Sequence, residues 1–252
     1  MAAATPASAQ SLEALASTAK VSVVHLAIHG PSGKEIGSGS GFLVSRDGLV
    51  VTNYHVIKKA SAVTATFFDG KKVPALGVLG TNAARDIAVI QLEGDDFPAL
   101  TLGDSTALQQ GTSVVVLGSP RGFAGSLSQG IVSAVREVGL PNRKYEYIGR
   151  LIQITAPISH GSSGSPVLTS DGEVIGVATL VWGKAQNLNF AVPIEVAKGI
   201  LSTIHVGAVP QPFSRFPFEN LFISLIFFTL LGAALVIGRR LKKRRHGPKH
   251  PP

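Results

Sequence analysis

Three short stretches of the chain carry side chains that could do chemistry together. Val51-Thr52-Asn53-Tyr54-His55-Val56-Ile57 ends an apolar strand in a histidine. Ala84-Arg85-Asp86-Ile87-Ala88-Val89-Ile90 sets an aspartate at the entry to another strand. His160-Gly161-Ser162-Ser163-Gly164-Ser165-Pro166 holds serines in a glycine-rich turn. A serine hydroxyl is a poor nucleophile near neutral pH and needs a base to take its proton as it attacks. Histidine suits that task, because its unperturbed pKa is about 6.5. A carboxylate on the other ring nitrogen fixes the tautomer and stabilises the imidazolium. Attack on a carbonyl builds an oxyanion, which needs donors already aimed at it. The turn residues Gly161, Ser162 and Ser163 are the candidates. Gly161 and Ser163 can point their backbone N–H groups at one spot if the turn is tight.

Each stretch alone has a plainer reading: a structural strand histidine, a turn aspartate, a common Gly/Ser turn. The chemical reading rests on the combination, in the order His, Asp, Ser. Ser162, Ser163 and Ser165 all offer hydroxyls, and the spacing to the glycines favours Ser163.

These residues need a scaffold, and the pattern around them is β. From Val21 onward, short apolar stretches are divided by Gly, Asp and Asn. VSVVHLAI, GSGFLVS, LVVTNYHVI, AVTATFF, DIAVIQL, SVVVLGS, GIVSAV, LIQITA, GSPVLT, EVIGVATLV and LNFAVPI read as strands. Arg46-Asp47-Gly48, Asp69-Gly70 and Asp171-Gly172 supply turns. Many short strands with frequent turns point to a sandwich or barrels. A short helix is expected at Glu195–Thr203, after Pro193.

With 45% apolar and 15% charged residues, the 252-residue chain is not a disordered one. Its lack of cysteine excludes a thiol nucleophile, a disulfide scaffold and a Cys-ligated metal. His25 and His29 share a strand face but lie about 13 Å apart, too far for one metal. GSGSG at 37–41 is no phosphate loop, since no Gly-Lys-Ser/Thr follows; it reads as the bend feeding the strand Phe42–Ser45. No metal and no cofactor are expected.

The formal charge of +8 is a property of the tail. Residues 239–252 hold seven Lys/Arg and no acid, while residues 1–238 hold 16 basic and 15 acidic residues. No spread-out basic face remains for a nucleic-acid partner. The tail follows Leu221–Ile237, seventeen residues without a charge. As a helix they would span about 26 Å, near the short end for a bilayer core of about 30 Å. An apolar run followed by a basic cluster is a stop-transfer pattern. A single transmembrane helix over 220–238 is therefore expected, with the tail 239–252 cytoplasmic and the body outside the cytoplasm. Residues 204–219 are Pro-rich and read as a linker. Residues 1–20 are Ala/Ser-rich, lack a basic start and an apolar run, and read as a flexible lead-in. Export of the body then points to a true start upstream of Met1, with Ala7-Ser8-Ala9 as its remnant.

With these motifs in hand, the chain resembles a trypsin-like serine protease of the HtrA/Deg type. The resemblance is carried by GSGSGFLV (37–44), TNYHVI, ARDIAVIQL, Leu102-Gly103-Asp104-Ser105, VLGSPRG (116–122), IQITAPISHGSSGSPV, GEVIGV (172–177) and NFAVP (189–193), over roughly residues 21–200. It implies an all-β fold of two six-stranded antiparallel barrels, about 21–105 and 106–203, with the active site between them. Ser163 falls on the nucleophile, His55 on the base and Asp86 on the orienting acid. The residues before the nucleophile turn line the primary specificity pocket, here Pro157 and Ile158, with His160 at the cleft entrance or simply exposed; Thr179, Leu180 and Val181 complete the substrate-binding set. With no Asp at the pocket, a small or medium aliphatic residue before the scissile bond is expected rather than a basic one. Polypeptide is the implied substrate, and a homotrimer is left open.

Two departures stand out. The family's usual nucleophile turn, Gly-Asn-Ser-Gly-Gly-Pro, here reads Gly161-Ser162-Ser163-Gly164-Ser165-Pro166. Ser165 adds a Cβ, so that position must avoid a strongly positive φ. Linker, span and tail also stand where a PDZ domain often follows, so PDZ-based substrate capture is not expected. A non-proteolytic binding or chaperone-like module on the same double barrel is the alternative.

Overall fold

The computed structural model describes residues 11–119, 125–138, 149–181 and 188–213. The expected span Leu221–Ile237, the tail 239–252 and residues 214–219 of the linker lie outside these residues. Among the described residues no helix is long and apolar enough to cross a membrane.

Twelve strands form two closed barrels. The first is built from β1 (Val23–His29), β2 (Glu35–Leu43), β3 (Leu49–Thr52), β4 (Ala62–Thr66), β5 (Lys72–Asn82) and β6 (Ile87–Leu92), in the order β1-β2-β3-β6-β5-β4. The second is built from β7 (Ser113–Gly118), β8 (Ser126–Val138), β9 (Gly149–Ile154), β10 (Pro166–Leu168), β11 (Val174–Val181) and β12 (Asn189–Pro193), in the order β10-β11-β12-β9-β8-β7. The pairings are antiparallel throughout. Closure removes open sheet edges, which suits a chain whose strands are short and apolar.

Strand β7 shows how the core is divided. Val114 and Val116 join one apolar cluster inside the second barrel. Val115 and Leu117, on the opposite face, join a larger cluster with Phe42, Val51 and Ile87 of the first barrel. The two-residue period of a strand thus serves both a barrel interior and the seam between barrels.

The structure revises the sequence reading at four points. Strand β5 was not among the expected strands: Pro74, Gly77 and Gly80 interrupt its pattern, and the ladder absorbs them as register shifts at Ala75/Gly77 and Val78/Gly80. The glycines at 37–41 lie within β2 rather than in a bend ahead of it; a Cβ at Gly39 would come within 2.7 Å of Val56. The flexible lead-in is in part a helix, α1 (Leu12–Ala19), capped by the Ser11 side chain on Ala14 N–H. Its Leu15 and Ala19 are buried in the large cluster, so this helix is part of the folded body.

The fourth revision concerns the linker. The C-terminal helix, α3, runs Ile194–Leu201 as expected within a few residues. Beyond it the chain turns back to the first barrel. Gln211 N–H donates to Val78 O and Val78 N–H to Gln211 O, each at 2.8 Å, and Phe213 is buried. Pro210 and Pro212 flank Gln211 and have no N–H to offer, so pairing is confined to one residue.

Candidate active site

Register explains why His55 and Asp86 meet. In the β3–β6 ladder Thr52 pairs with Ala88, so the chain leaving β3 lies beside the chain entering β6. His55 sits just past β3 in a one-turn helix, α2 (Tyr54–Ile57), rather than at a strand end. Asp86 closes the 3-10 turn Ala83–Arg85 ahead of β6, with φ 53° and ψ 40°. This left-handed conformation is uncommon for a residue with a side chain, though Asp tolerates it better than most. Two donors hold it there: Asn53 Nδ2 at 2.9 Å and Tyr54 N at 3.2 Å both reach Asp86 O.

The carboxylate is surrounded by donors. His55 N–H binds Oδ1 at 2.8 Å, His55 Nδ1 binds Oδ2 at 2.7 Å, and Thr179 Oγ1 donates to Oδ2 at 2.6 Å. Asp86 has little exposed side chain, while the His55 ring is 39% exposed. A carboxylate facing Nδ1 fixes the proton on that nitrogen and leaves Nε2 as the basic one.

Ser163 comes from the second barrel. It precedes β10, whose partner β11 brings Thr179 opposite. Gly164 N–H donates to Ala178 O and Ala178 N–H to Ser165 O, both at 2.9 Å, which splices the turn onto β11. The Ser163 hydroxyl donates to Thr179 O at 3.4 Å. No hydrogen bond joins it to His55 among the described residues.

The turn itself is tight. Ser162 N–H donates to Ser159 O at 2.9 Å, and Ser159 N–H reaches Ser162 Oγ at 3.3 Å. The Ser162 N–H is therefore spoken for inside the turn. Gly161 N–H and Ser163 N–H have no hydrogen-bond partner among the described residues. Gly161 (φ 93°) and Gly164 (φ 89°) take the conformations that favour glycine. Ser165 does not have a positive φ, which meets the condition its Cβ imposes. Its hydroxyl is buried without a partner among the described residues.

The remaining candidates are spread around this turn. Pro157 is exposed, and its carbonyl accepts from Ser128 Oγ at 2.7 Å. Ile158 is half-buried against the second barrel's cluster, and His160 is exposed. Leu180 and Val181 continue β11, where they pair with Phe190 and Asn189. Thr179 is buried and does more than flank the substrate path, since its hydroxyl is spent on Asp86. Sequence reasoning missed that bond, and missed Asn53 and Ser40 altogether. Ser40, on β2, donates its N–H to Ser163 O at 2.8 Å and its hydroxyl to Gly161 O at 2.7 Å. Only the small-residue run around Ser40 hinted at close approach. Among the described residues no group of three or more His, Asp or Glu could hold a metal. His29 Nε2 lies 3.2 Å from Thr64 Oγ1.

One barrel thus carries the His55–Asp86 pair and the other carries the serine turn. Residues 39–177 match the family described as trypsin-like peptidase domain, and the chain belongs to that family. It is 38% identical to the serine protease HhoB of Synechocystis sp. over 188 residues, which are 73% of this chain and 44% of that protein. It is 36% identical to a DegP-like periplasmic serine endoprotease of Halomonas elongata over 70% of this chain and 39% of that one. It thus spans less than half the length of these relatives. Among solved structures, the HtrA-type protease AlgW with a tripeptide superposes at a TM-score of 0.68 with 29% identity, covering 77% of this chain and 64% of that one.

Proposed function

We propose that this chain is an HtrA-type serine endopeptidase with Ser163 as nucleophile, His55 as general base and Asp86 as the orienting acid. The observation that carries the reading is the carboxylate of Asp86, which accepts both N–H groups of His55 and so leaves Nε2 basic. The hydroxyl of Ser163 adds to the scissile carbonyl and passes its proton to His55 Nε2. The oxyanion is received by Gly161 N–H and Ser163 N–H. The tetrahedral adduct collapses as His55 returns the proton to the leaving amine, giving an acyl-enzyme on Ser163. Water then repeats the cycle, with His55 as base, and releases the carboxylate product. No step calls for a metal or an organic cofactor.

The substrate is an extended or unfolded polypeptide. Pro157 and Ile158 frame the pocket for the residue before the scissile bond, and Thr179, Leu180 and Val181 run beside the peptide. With no acid at that pocket, aliphatic residues are cleaved in preference to basic ones. The catalytic body works outside the cytoplasm, in keeping with the periplasmic relative, in envelope protein quality control or processing. It is held to the membrane by Leu221–Ile237, with residues 239–252 in the cytoplasm.

Labelling with a fluorophosphonate, together with casein and peptide-library cleavage by wild type and Ser163→Ala, tests this. Labelling at Ser163 that Ser163→Ala abolishes, with cuts after small aliphatic residues, is the expected result. Folded wild type that neither labels nor cleaves would make the chain a binding module on a protease fold. Dominant cleavage after Arg or Lys would overturn the pocket assignment alone.

A further inference from the structure

Ser40 lies near the middle of β2 with no exposed surface, and it meets the nucleophile turn at three points. Its N–H donates to Ser163 O at 2.8 Å, and its hydroxyl donates to Gly161 O at 2.7 Å. Its carbonyl oxygen is so near Gly164 that a Cβ there would fall 2.0 Å from it. Two further bonds hold Ser40 itself. Ser119 N–H, at the exit of β7, donates to Ser40 Oγ at 3.1 Å, and Thr52 Oγ1 donates to Ser40 O at 2.7 Å. A serine hydroxyl has one proton to give and lone pairs to accept with. Here the proton goes to the turn, and a lone pair takes the second barrel's own strand.

The consequence lies in which peptide groups are held. The Gly161–Ser162 peptide is gripped at both ends: its oxygen by Ser40 Oγ, and its N–H by Ser159 O at 2.9 Å. The Ser163–Gly164 peptide is gripped through its oxygen by Ser40 N–H. The two N–H groups with no partner among the described residues, those of Gly161 and Ser163, belong to the peptides that adjoin these held ones. Glycine at 161 has no Cβ to restrict its backbone, so local sterics do not supply that orientation. The hydrogen bonds do.

We propose that Ser40 is the positioning residue of the oxyanion site: its hydroxyl, reaching across from the first barrel, sets the direction of the Gly161 and Ser163 N–H groups. This rests on the protease reading above. It assigns to Ser40 no contact with substrate, and it leaves the His55–Asp86 pair untouched.

The test uses the full chain carrying Ser40→Ala, Ser40→Cys or Ser40→Thr. Readouts are kcat and KM on a peptide that wild type cleaves, the rate of fluorophosphonate labelling, the pH midpoint of kcat/KM and the thermal midpoint. A misdirected donor costs turnover but not ground-state binding, so Ser40→Ala and Ser40→Cys should lower kcat and labelling by about ten- to a hundredfold. KM and the pH midpoint should stay near wild type, because peptide binding and the histidine are unaffected. Ser40→Thr keeps the hydroxyl and should recover most of the rate. If Ser40→Ala fails to fold, Ser40→Cys, which keeps the volume and weakens the donor, decides. Wild-type kcat in a folded Ala or Cys variant overturns the proposal. So does a loss that only tracks the unfolded fraction, a shifted pH midpoint, or a Thr variant as slow as Ala. Folded wild type that is itself inert overturns the protease reading and this proposal with it, whereas active wild type with an equally active Ser40→Ala overturns this proposal alone.

Discussion

Replacing Gly164 by alanine tests how closely the two barrels are fitted at Ser163. The residue has φ 89°, and an added Cβ would lie 2.0 Å from Ser40 O and 2.5 Å from Thr52 Oγ1. Real Cβ atoms essentially never come within 3.0 Å of another heavy atom, so something must give by about 1 Å. Ser40 cannot yield easily, because it is inside β2 and its oxygen accepts from Thr52. The turn must move instead, and Ser163 moves with it. Left-handed backbone in a residue with a side chain costs about 1–2 kcal/mol, and forced overpacking about 1–3 kcal/mol more. For a domain of this size the thermal midpoint should fall by roughly 5–15 °C. A shift of about 1 Å at a reacting atom should cut turnover about a hundredfold or more. Differential scanning calorimetry and fluorophosphonate labelling of the folded fraction read the two effects separately. A Gly164→Ala protein with the melting point and labelling rate of wild type would show that the barrels do not constrain the turn as described.

Four further outcomes follow from the same contacts. Gly199→Ala is the counterpart within α3: nothing lies within 4 Å of the added Cβ, so chemical denaturation should show a gain of about 0.5–1 kcal/mol with activity unchanged. Asp86→Asn keeps a residue that tolerates left-handed backbone but offers His55 the wrong tautomer; kcat should drop by about 10⁴ with the circular dichroism spectrum preserved. Thr179→Val removes the donor on Asp86 Oδ2 and should destabilise by about 1–3 kcal/mol in urea titrations, with kcat lowered more than KM is raised. Asp104 has its pKa held below the ordinary 3.8, first by the backbone N–H of Thr106 and then by the Thr106 side chain. Its contribution is therefore present above that ordinary value and lost as pH falls through the lowered one. Wild type and Asp104→Asn should differ in urea midpoint at pH 7 and converge as the pH falls through the lowered value.

The His, Asp and Ser stretches were legible because each stands beside a clear apolar strand, and strand ends are where short loops carry chemistry. Eleven of the twelve strands showed in the pattern for the same reason. What escaped notice was set by partners distant in sequence. Ser40 looked like one more small residue in a glycine run, and its importance depends on Gly161 arriving from 121 residues away. Thr179 in an apolar strand gave no sign that it would donate to Asp86 across the barrel seam. Strand β5 was hidden by Pro74 and two glycines, which bulges accommodate once neighbouring strands are present. In α1, Leu12, Leu15 and Ala19 fall on one face, too few apolar residues among the alanines and serines to stand out as a periodic signal.

The returning segment 204–213 changes how force would travel through this protein. Traced along the chain, the exit comes after helix α3, beyond the second barrel. Traced in space, the last described residues lie against the first barrel: Gln211 is fastened to β5 and Phe213 is buried. Tension entering the described body at Phe213 would load the Phe213 packing and the Val78–Gln211 bridge, while α3 and the serine turn lie behind them. Mechanical strain entering there would reach the barrel that carries His55 and Asp86 before it reached the barrel that carries Ser163.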